Sequence, residues 1–187
     1  FNSVQPDPFG FDGEPHDWLL DGAMLGGVVV EVGSFLGKSS RYMAGAMRAA
    51  GSDGAVICID TWLGDWELSF NEYRKTLGMF AGSPMFYYTF LKNTVDAELE
   101  GYTVPLRMDS YNASRVLENL KIQADFIYID GSHDGDIVAQ DLRSYWPLLK
   151  SGCALVCDDY YPGYAPFAGL VRAVNDFAKA HKVKLEI

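Results

Sequence analysis

Four short runs of the chain are almost continuously apolar and rich in β-branched residues: Val28–Val32, Ala55–Ile59, Ala124–Ile129 and Cys153–Cys157. Runs of this length without polar alternation are expected of parallel strands covered on both faces. Between them the apolar spacing becomes helical. Lys38–Ala50 predicts a helix that stops at Gly51. Asp134–Lys150 predicts a second, with Ile137, Val138, Leu142, Tyr145, Leu148 and Leu149 inward, ending before Ser151-Gly152. Tyr102–Arg107 is a weaker strand and Tyr111–Leu120 a short helix. Ala165–Ala180 reads as a helix with Leu170, Val171, Val174 and Phe177 on one face, and Val183–Ile187 opens a last strand. This alternation predicts an α/β fold: a doubly wound, mostly parallel sheet built from βαβ crossovers.

Two regions fall outside the alternation. Phe1–Pro15, rich in Pro, Gly and Asp, reads as a lead-in to a helix at His16–Leu25, so residues 1–27 are set apart from a single domain at 28–187. Thr61–Asp96 is a long aromatic insertion after the second strand, carrying Trp62, Trp66, Phe70, Tyr73, Phe80, Phe86, Tyr87, Tyr88 and Phe90. At the carboxyl edge of a sheet such a segment is placed to act as a lid.

Composition narrows the classes. In 187 residues, 49% are hydrophobic and 21% charged, the balance of a globular chain with a sizeable core. The formal charge is −10, from 15 Lys and Arg against 25 Asp and Glu. That excess argues against nucleic acid and anionic membrane surfaces as partners. The apolar runs are far shorter than the roughly 20 residues a spanning helix needs, and no charged-then-apolar leader opens the chain. Cys153 and Cys157 share a strand face about 13 Å apart at strand rise, too far for a disulfide. With Cys58 they read as buried free thiols, and a reducing cytoplasm is expected.

Ligands of an open α/β sheet bind beyond the carboxyl ends of its strands. After the first strand comes Glu31-Val-Gly-Ser-Phe-Leu-Gly-Lys-Ser-Ser40, where Gly33 and Gly37 allow a tight turn before a helix N-terminus. The spacing is neither G-x-G-x-x-G nor a P-loop, which disfavours a dinucleotide or nucleoside triphosphate. The second strand ends in Asp60, a carboxylate able to accept two hydroxyls at once. The fourth ends in Asp130-Gly-Ser-His133 and the fifth in Asp158-Asp159. Three carboxylates at neighbouring strand ends would repel one another, and burying them unpaired is costly. A divalent ion with oxygen ligands, Mg²⁺ or similar, resolves that conflict.

Taken together, Glu31–Ser40, Ile59-Asp-Thr-Trp62, Ile129-Asp-Gly-Ser-His133, Tyr145–Gly152 and Asp158-Asp-Tyr160 resemble the class I S-adenosylmethionine-dependent methyltransferases, most nearly the macrocin O-methyltransferase-like family. The likeness runs from about Val28 to Phe177, and its strength lies in several motifs in the right order rather than in any one. It implies that Glu31, Gly33, Ser34, Gly37 and Ser39 approach the methionine part of the cofactor. Asp60 would hold the ribose hydroxyls, with Thr61 and Trp62 also at the cofactor, and Asp109 and Ser110 would meet the adenine. Asp130, Asp158 and Asp159 would bind Mg²⁺, with Asp130 also beside the cofactor and His133 as the base. The family continues into a further, antiparallel strand, whereas this sequence ends at Ile187.

The activity implied is O-methylation of a small molecule bearing a sugar, macrolide or catechol-like hydroxyl. A bound dication would lower the hydroxyl's pKa and orient it, and His133 would take its proton. Trp62 and Tyr160, beside the motif carboxylates, are the aromatic residues expected to touch ligand. The alternatives are a metal-independent methyltransferase on the same fold, a non-catalytic cofactor-binding protein and, less favoured, a nicotinamide-dependent oxidoreductase. No N-P-P-Y or D-P-P-Y run follows the fourth strand, so nucleic-acid methylation is not expected. A homo-oligomer is neither required nor excluded by the sequence.

Overall fold

The computed structural model describes residues 27–64 and 78–186. In chain order its elements are β1 (Val28–Val32), α1 (Lys38–Ala49), β2 (Ala55–Asp60), a hairpin of β3 (Met79–Phe80) and β4 (Ser83–Pro84), α2 (Phe86–Asp96), β5 (Thr103–Arg107), α3 (Ser110–Asn119), β6 (Ala124–Ile129), α4 (Gly135–Tyr145), β7 (Leu149–Cys157) and α5 (Ala168–His181). The main sheet has the order β5-β2-β1-β6-β7, and every neighbouring pair is parallel. Parallel pairing brings all five carboxyl ends to one edge. From β1 the chain winds outward through β2 to β5, then crosses back to β6 and β7, so the direction of winding reverses between β1 and β6. That is where a doubly wound sheet opens its crevice.

Helices cover both faces, as the apolar runs require. On one face Met43 and Met47 of α1 pack with Phe86 and Phe90 of α2, Trp62 and the sheet residues Val29, Val56, Phe126 and Tyr128. On the other, Leu117 of α3, Val138 and Leu142 of α4, and Leu170 and Val174 of α5 pack on Val30, Ile59, Ile127 and Ile129. Full burial of side chains this large stabilises by roughly 1.5–3 kcal/mol apiece. Helix starts follow local chemistry: the Asp134 carboxylate accepts the Asp136 and Ile137 N–H groups, and Asp109 accepts that of Asn112. At the amino edge, Asp125 accepts the Val28 N–H at 2.9 Å and pairs with Lys150 Nζ at 2.7 Å.

Several boundaries depart from the sequence reading. The helix predicted to Lys150 stops at Tyr145, because Pro147 has no N–H for the next helical bond, and a 3-10 turn at Trp146–Leu148 leads directly into β7. Regular pairing with β6 begins only at Ala154, beyond an irregularity opposite Ala124 and Phe126. The predicted run Cys153–Cys157 is therefore the well-paired half of a longer strand. As an edge strand β7 leaves Cys153 and Cys157 half-buried, whereas Cys58 in β2 is fully buried; all three thiols are free. Residues 183–186 form no strand: Lys182 takes a left-handed conformation (φ 56°) and the Val183 N–H turns back to the Ala178 carbonyl, closing α5. The helix predicted at Ala165 starts as a 3-10 turn, Ala165–Phe167.

The described part of the aromatic insertion is divided between surface and core: Phe80 and Tyr88 are more than half exposed. Phe86, Phe90 and Trp62 are at most 1% exposed. Trp66, Phe70 and Tyr73, like the predicted lead-in and the helix at His16–Leu25, lie outside the described residues. No helix among the described residues is long and apolar enough to cross a membrane.

One buried acid marks the joint between α3 and α4. Asp141 accepts the Ser110 hydroxyl at 2.6 Å, and the Tyr145 hydroxyl donates to the Ser110 carbonyl at 2.7 Å. Burial pushes the Asp141 carboxyl up to about 6. An unfolded Asp ionises near 3.9, so between about pH 4 and 6 the folded chain holds the extra proton and loses stability as pH rises, by on the order of 3 kcal/mol from this group. Asp141→Asn removes that slope. Urea midpoints at pH 4 and pH 8 should show the variant gaining on the wild-type chain at pH 8.

Candidate functional site

The carboxyl edge is built from tight backbone geometry. Backbone bonds extend the ladders past the strands, from Gly33 N–H to the Ile59 carbonyl, Asp130 N–H to Val32 and Asp158 N–H to Ile129, all at 2.8–2.9 Å. At Gly33 (φ 94°) a Cβ would lie 2.1 Å from the Asp130 carbonyl oxygen. Only glycine lets the turn after β1 approach the tip of β6 so closely. Gly37, in the left-handed conformation at the start of α1, has the Phe90 ring where a side chain would go.

Within this frame the first acidic group is Glu31, fully buried in β1 and hydrogen-bonded by the hydroxyls of Ser39 and Ser40. Ser34 is buried beside it. Burial raises the Glu31 carboxyl above its ordinary range, and the serine hydroxyls oppose that rise. Asp60, at the end of β2, accepts the backbone N–H of Phe35 at 2.8 Å and of Trp62 at 2.6 Å. Burial raises it too, against those same N–H groups. Trp62 sits at φ 52°, its ring buried against Tyr87 and Phe90 and its indole N–H donated to the Phe35 carbonyl. The ring expected to touch ligand is thus a core ring, and Trp62 reaches Asp60 through its main chain. The Thr61 hydroxyl accepts the Leu63 N–H at 3.2 Å. Asp109 caps α3, is held below its usual range by the Asn112 side chain, and is followed by Ser110 on Asp141.

The second group gathers Asp130, Asp158 and Asp159, each offering a carboxylate oxygen within 4.8 Å of the others. Asp130 is pushed well above its usual range by burial and then by Asp158, Glu31 and Asp159. Its surroundings add negative charge, and that links the two groups through Glu31. His133 Nε2 lies 2.7 Å from Asp159 Oδ2, and its ring stacks on Phe167 at 4.7 Å. A small pocket runs between them, lined by Asp130, Ser132, His133, Cys157, Asp158 and Asp159 and backed by Val138 and Leu170. Burial pushes the Cys157 thiol up to about 12, so it is an inert wall. Tyr160 turns away to Asn175, its hydroxyl 3.1 Å from Oδ1.

Carboxylates alone, close together and partly buried, are the donor set a hard divalent ion takes, and the residues present fit one. The sequence reading found the acids and missed a tyrosine. The Tyr128 hydroxyl lies 2.8 Å from Asp158 Oδ2 and 3.2 Å from Asp130 Oδ2. Its signal was strand alternation, which puts residue 128 on the same face as residue 130.

Residues 30–160 match the family described as Methyltransferase domain. Among solved structures the chain is similar to the apo form of a TDP-rhamnose 3'-O-methyltransferase of calicheamicin biosynthesis, with TM-score 0.64 and 16% identity over 91% of this chain and 71% of that one. It is also similar to an S-adenosylhomocysteine-bound methyltransferase of Podospora anserina, with TM-score 0.59 and 14% identity over 88% and 67%. A third is a putative caffeoyl-CoA O-methyltransferase of Staphylococcus aureus, with TM-score 0.57 and 18% identity over 90% and 75%. At these identities the likeness is one of fold.

The contact at the switch point gives a direct expectation. Gly33→Ala must move the tip of β6 and hold a left-handed residue, so it should cost about 3 kcal/mol or more in urea unfolding. Gly45→Ala inside α1, where a Cβ meets nothing within 4 Å, should instead be neutral or stabilise by roughly 0.5–1 kcal/mol.

Proposed function

This chain belongs to the methyltransferase-domain family and is a class I S-adenosylmethionine-dependent methyltransferase, and we propose that its acceptor is a hydroxyl oxygen of a small molecule held beside a divalent ion. The observation that carries the reading is the convergence of Asp130, Asp158 and Asp159 within 4.8 Å, with His133 hydrogen-bonded to the third.

The cofactor supplies a methyl group on a positively charged sulfur. Glu31, Gly33, Ser34, Gly37 and Ser39 form its methionine end, where the buried Glu31 and the acids beyond it favour positive charge. Asp60 accepts the ribose hydroxyls, its carboxylate fixed by the Phe35 and Trp62 N–H groups and flanked by Thr61. Asp109 and Ser110, at the start of α3, meet the adenine. A Mg²⁺ or similar ion, held by Asp130, Asp158 and Asp159, would supply Lewis acidity toward an acceptor hydroxyl.

His133 then handles the proton. Asp159 against Nε2 orients the imidazole, and Phe167 stacked on the ring fixes its plane. As the acceptor oxygen bonds to the methyl carbon, the carbon–sulfur bond breaks, its electron pair stays on sulfur, and the hydroxyl proton passes to His133. Positioning supplies most of the rate. The net charge of −10 supports a neutral or cationic small molecule over nucleic acid. Two of the similar structures are named for transfer to oxygen, which supports the same acceptor atom.

The test is turnover on a panel of sugar and catechol acceptors. Activity should vanish in EDTA and return with Mg²⁺. His133→Ala should lower kcat by about 10²–10⁴-fold while calorimetry gives an unchanged affinity for S-adenosylhomocysteine. Full turnover in the chelator would leave a metal-independent methyltransferase on the same fold.

A further inference from the structure

The tyrosine between the acids has a position no packing argument requires. Tyr128 pairs in register with Glu31 on β1 and Val156 on β7, so its ring is clamped in the middle of the sheet and only 4% of the residue is exposed. Phenylalanine would fill the same space, as Phe126 does two residues earlier on the same face. What tyrosine adds is one hydroxyl, delivered by a rigid ring to a point between carboxylates on two neighbouring strands. A buried hydroxyl costs stability unless it is hydrogen-bonded. This one donates to Asp158 at 2.8 Å and has Asp130 at 3.2 Å on its other side.

We propose that Tyr128 is a positioning residue for the divalent ion: its hydroxyl, anchored through the ring in the core, sets the spacing and rotation of Asp130 and Asp158. This rests on the metal reading given above. Left to repulsion, the two acids would swing apart. Each would then have to be brought back when an ion arrives, at a cost in affinity. A hydrogen-bond donor behind a ligand carboxylate removes that cost, and loss of such a partner typically weakens metal affinity 10–100-fold. Tyr145 is the contrast within the same molecule. It is equally buried, but its hydroxyl donates to the Ser110 carbonyl, away from the acids.

Mn²⁺ binding followed by electron paramagnetic resonance tests this without turnover. Tyr128→Phe should bind Mn²⁺ about 10–100-fold more weakly than the wild-type chain, with unchanged affinity for S-adenosylhomocysteine and an unchanged circular dichroism spectrum. Tyr145→Phe should keep wild-type Mn²⁺ affinity. Because the hydroxyl acts through Asp158, adding Tyr128→Phe to Asp158→Asn should weaken binding by much less than the single change does. Equal Mn²⁺ affinity in Tyr128→Phe and wild type overturns the role of Tyr128 alone, as does an equal loss in Tyr145→Phe. A wild-type chain that binds no Mn²⁺ overturns the metal reading itself.

Discussion

Mutual repulsion among acids at the carboxyl edge is the constraint to which the rest of this structure answers. An all-parallel sheet must put the ends of β1, β2, β6 and β7 on one side, and this sequence puts Glu31, Asp60, Asp130 and the Asp158-Asp159 pair there. Burial raises Glu31, Asp60 and Asp130 together; the charge of Asp60 raises Glu31 further, and that of Glu31 raises Asp130. The fold holds them with uncharged donors: serine hydroxyls on Glu31, backbone N–H groups on Asp60, a phenol between Asp130 and Asp158. The amino edge is handled differently, with Lys150 neutralising Asp125 directly. One edge is settled by an internal cation; the other is an acidic row that we propose is completed by an external one.

The backbone at that edge is correspondingly unusual. Gly33, Trp62 and Asp159 all adopt positive φ, each just past the end of a different strand. Non-glycine residues in this region carry a cost that surrounding contacts must outweigh. At Trp62 those contacts are visible: a buried indole hydrogen-bonded to Phe35 and a backbone N–H locked on Asp60. The aromatic core under α2 thereby stiffens the carboxylate proposed for the ribose, so burial of Trp62 serves the site although its ring faces away from solvent.

Much of the fold was legible because the apolar runs are short, continuous and alternate with helical stretches, the pattern of a parallel sheet covered on both faces. The acids were legible because they immediately follow those runs. What escaped depended on pairing, backbone conformation and side-chain contacts that the apolar pattern does not encode. The start of β7 depends on a pairing irregularity against Ala124 and Phe126, which no local pattern encodes. The run at 183–186 has strand-like residues, yet Lys182 and Val183 are taken up in closing α5. Trp62 was expected at a ligand because it neighbours Asp60 in sequence, but a left-handed residue reverses the direction of its side chain. Tyr128 was hidden for a related reason: an apolar run announces burial without saying which hydroxyl a buried ring carries to which neighbour.

In the proposed function, the short segment around Asp159 would serve ion and proton at once. A carboxylate has two oxygens, and Asp159 gives Oδ2 to His133. Asp158 likewise presents Oδ2 to the Tyr128 hydroxyl. Each acid thus has one oxygen fixed by a side chain of the protein, and in the proposed function the second would be the one offered to the ion. In the proposed function His133 would stand against one of the acids that hold the ion, so base and ion would share a single carboxylate. That sharing needs His133 and Asp159 in direct contact, which they make across the tips of β6 and β7 with Asp159 in a left-handed conformation (φ 57°).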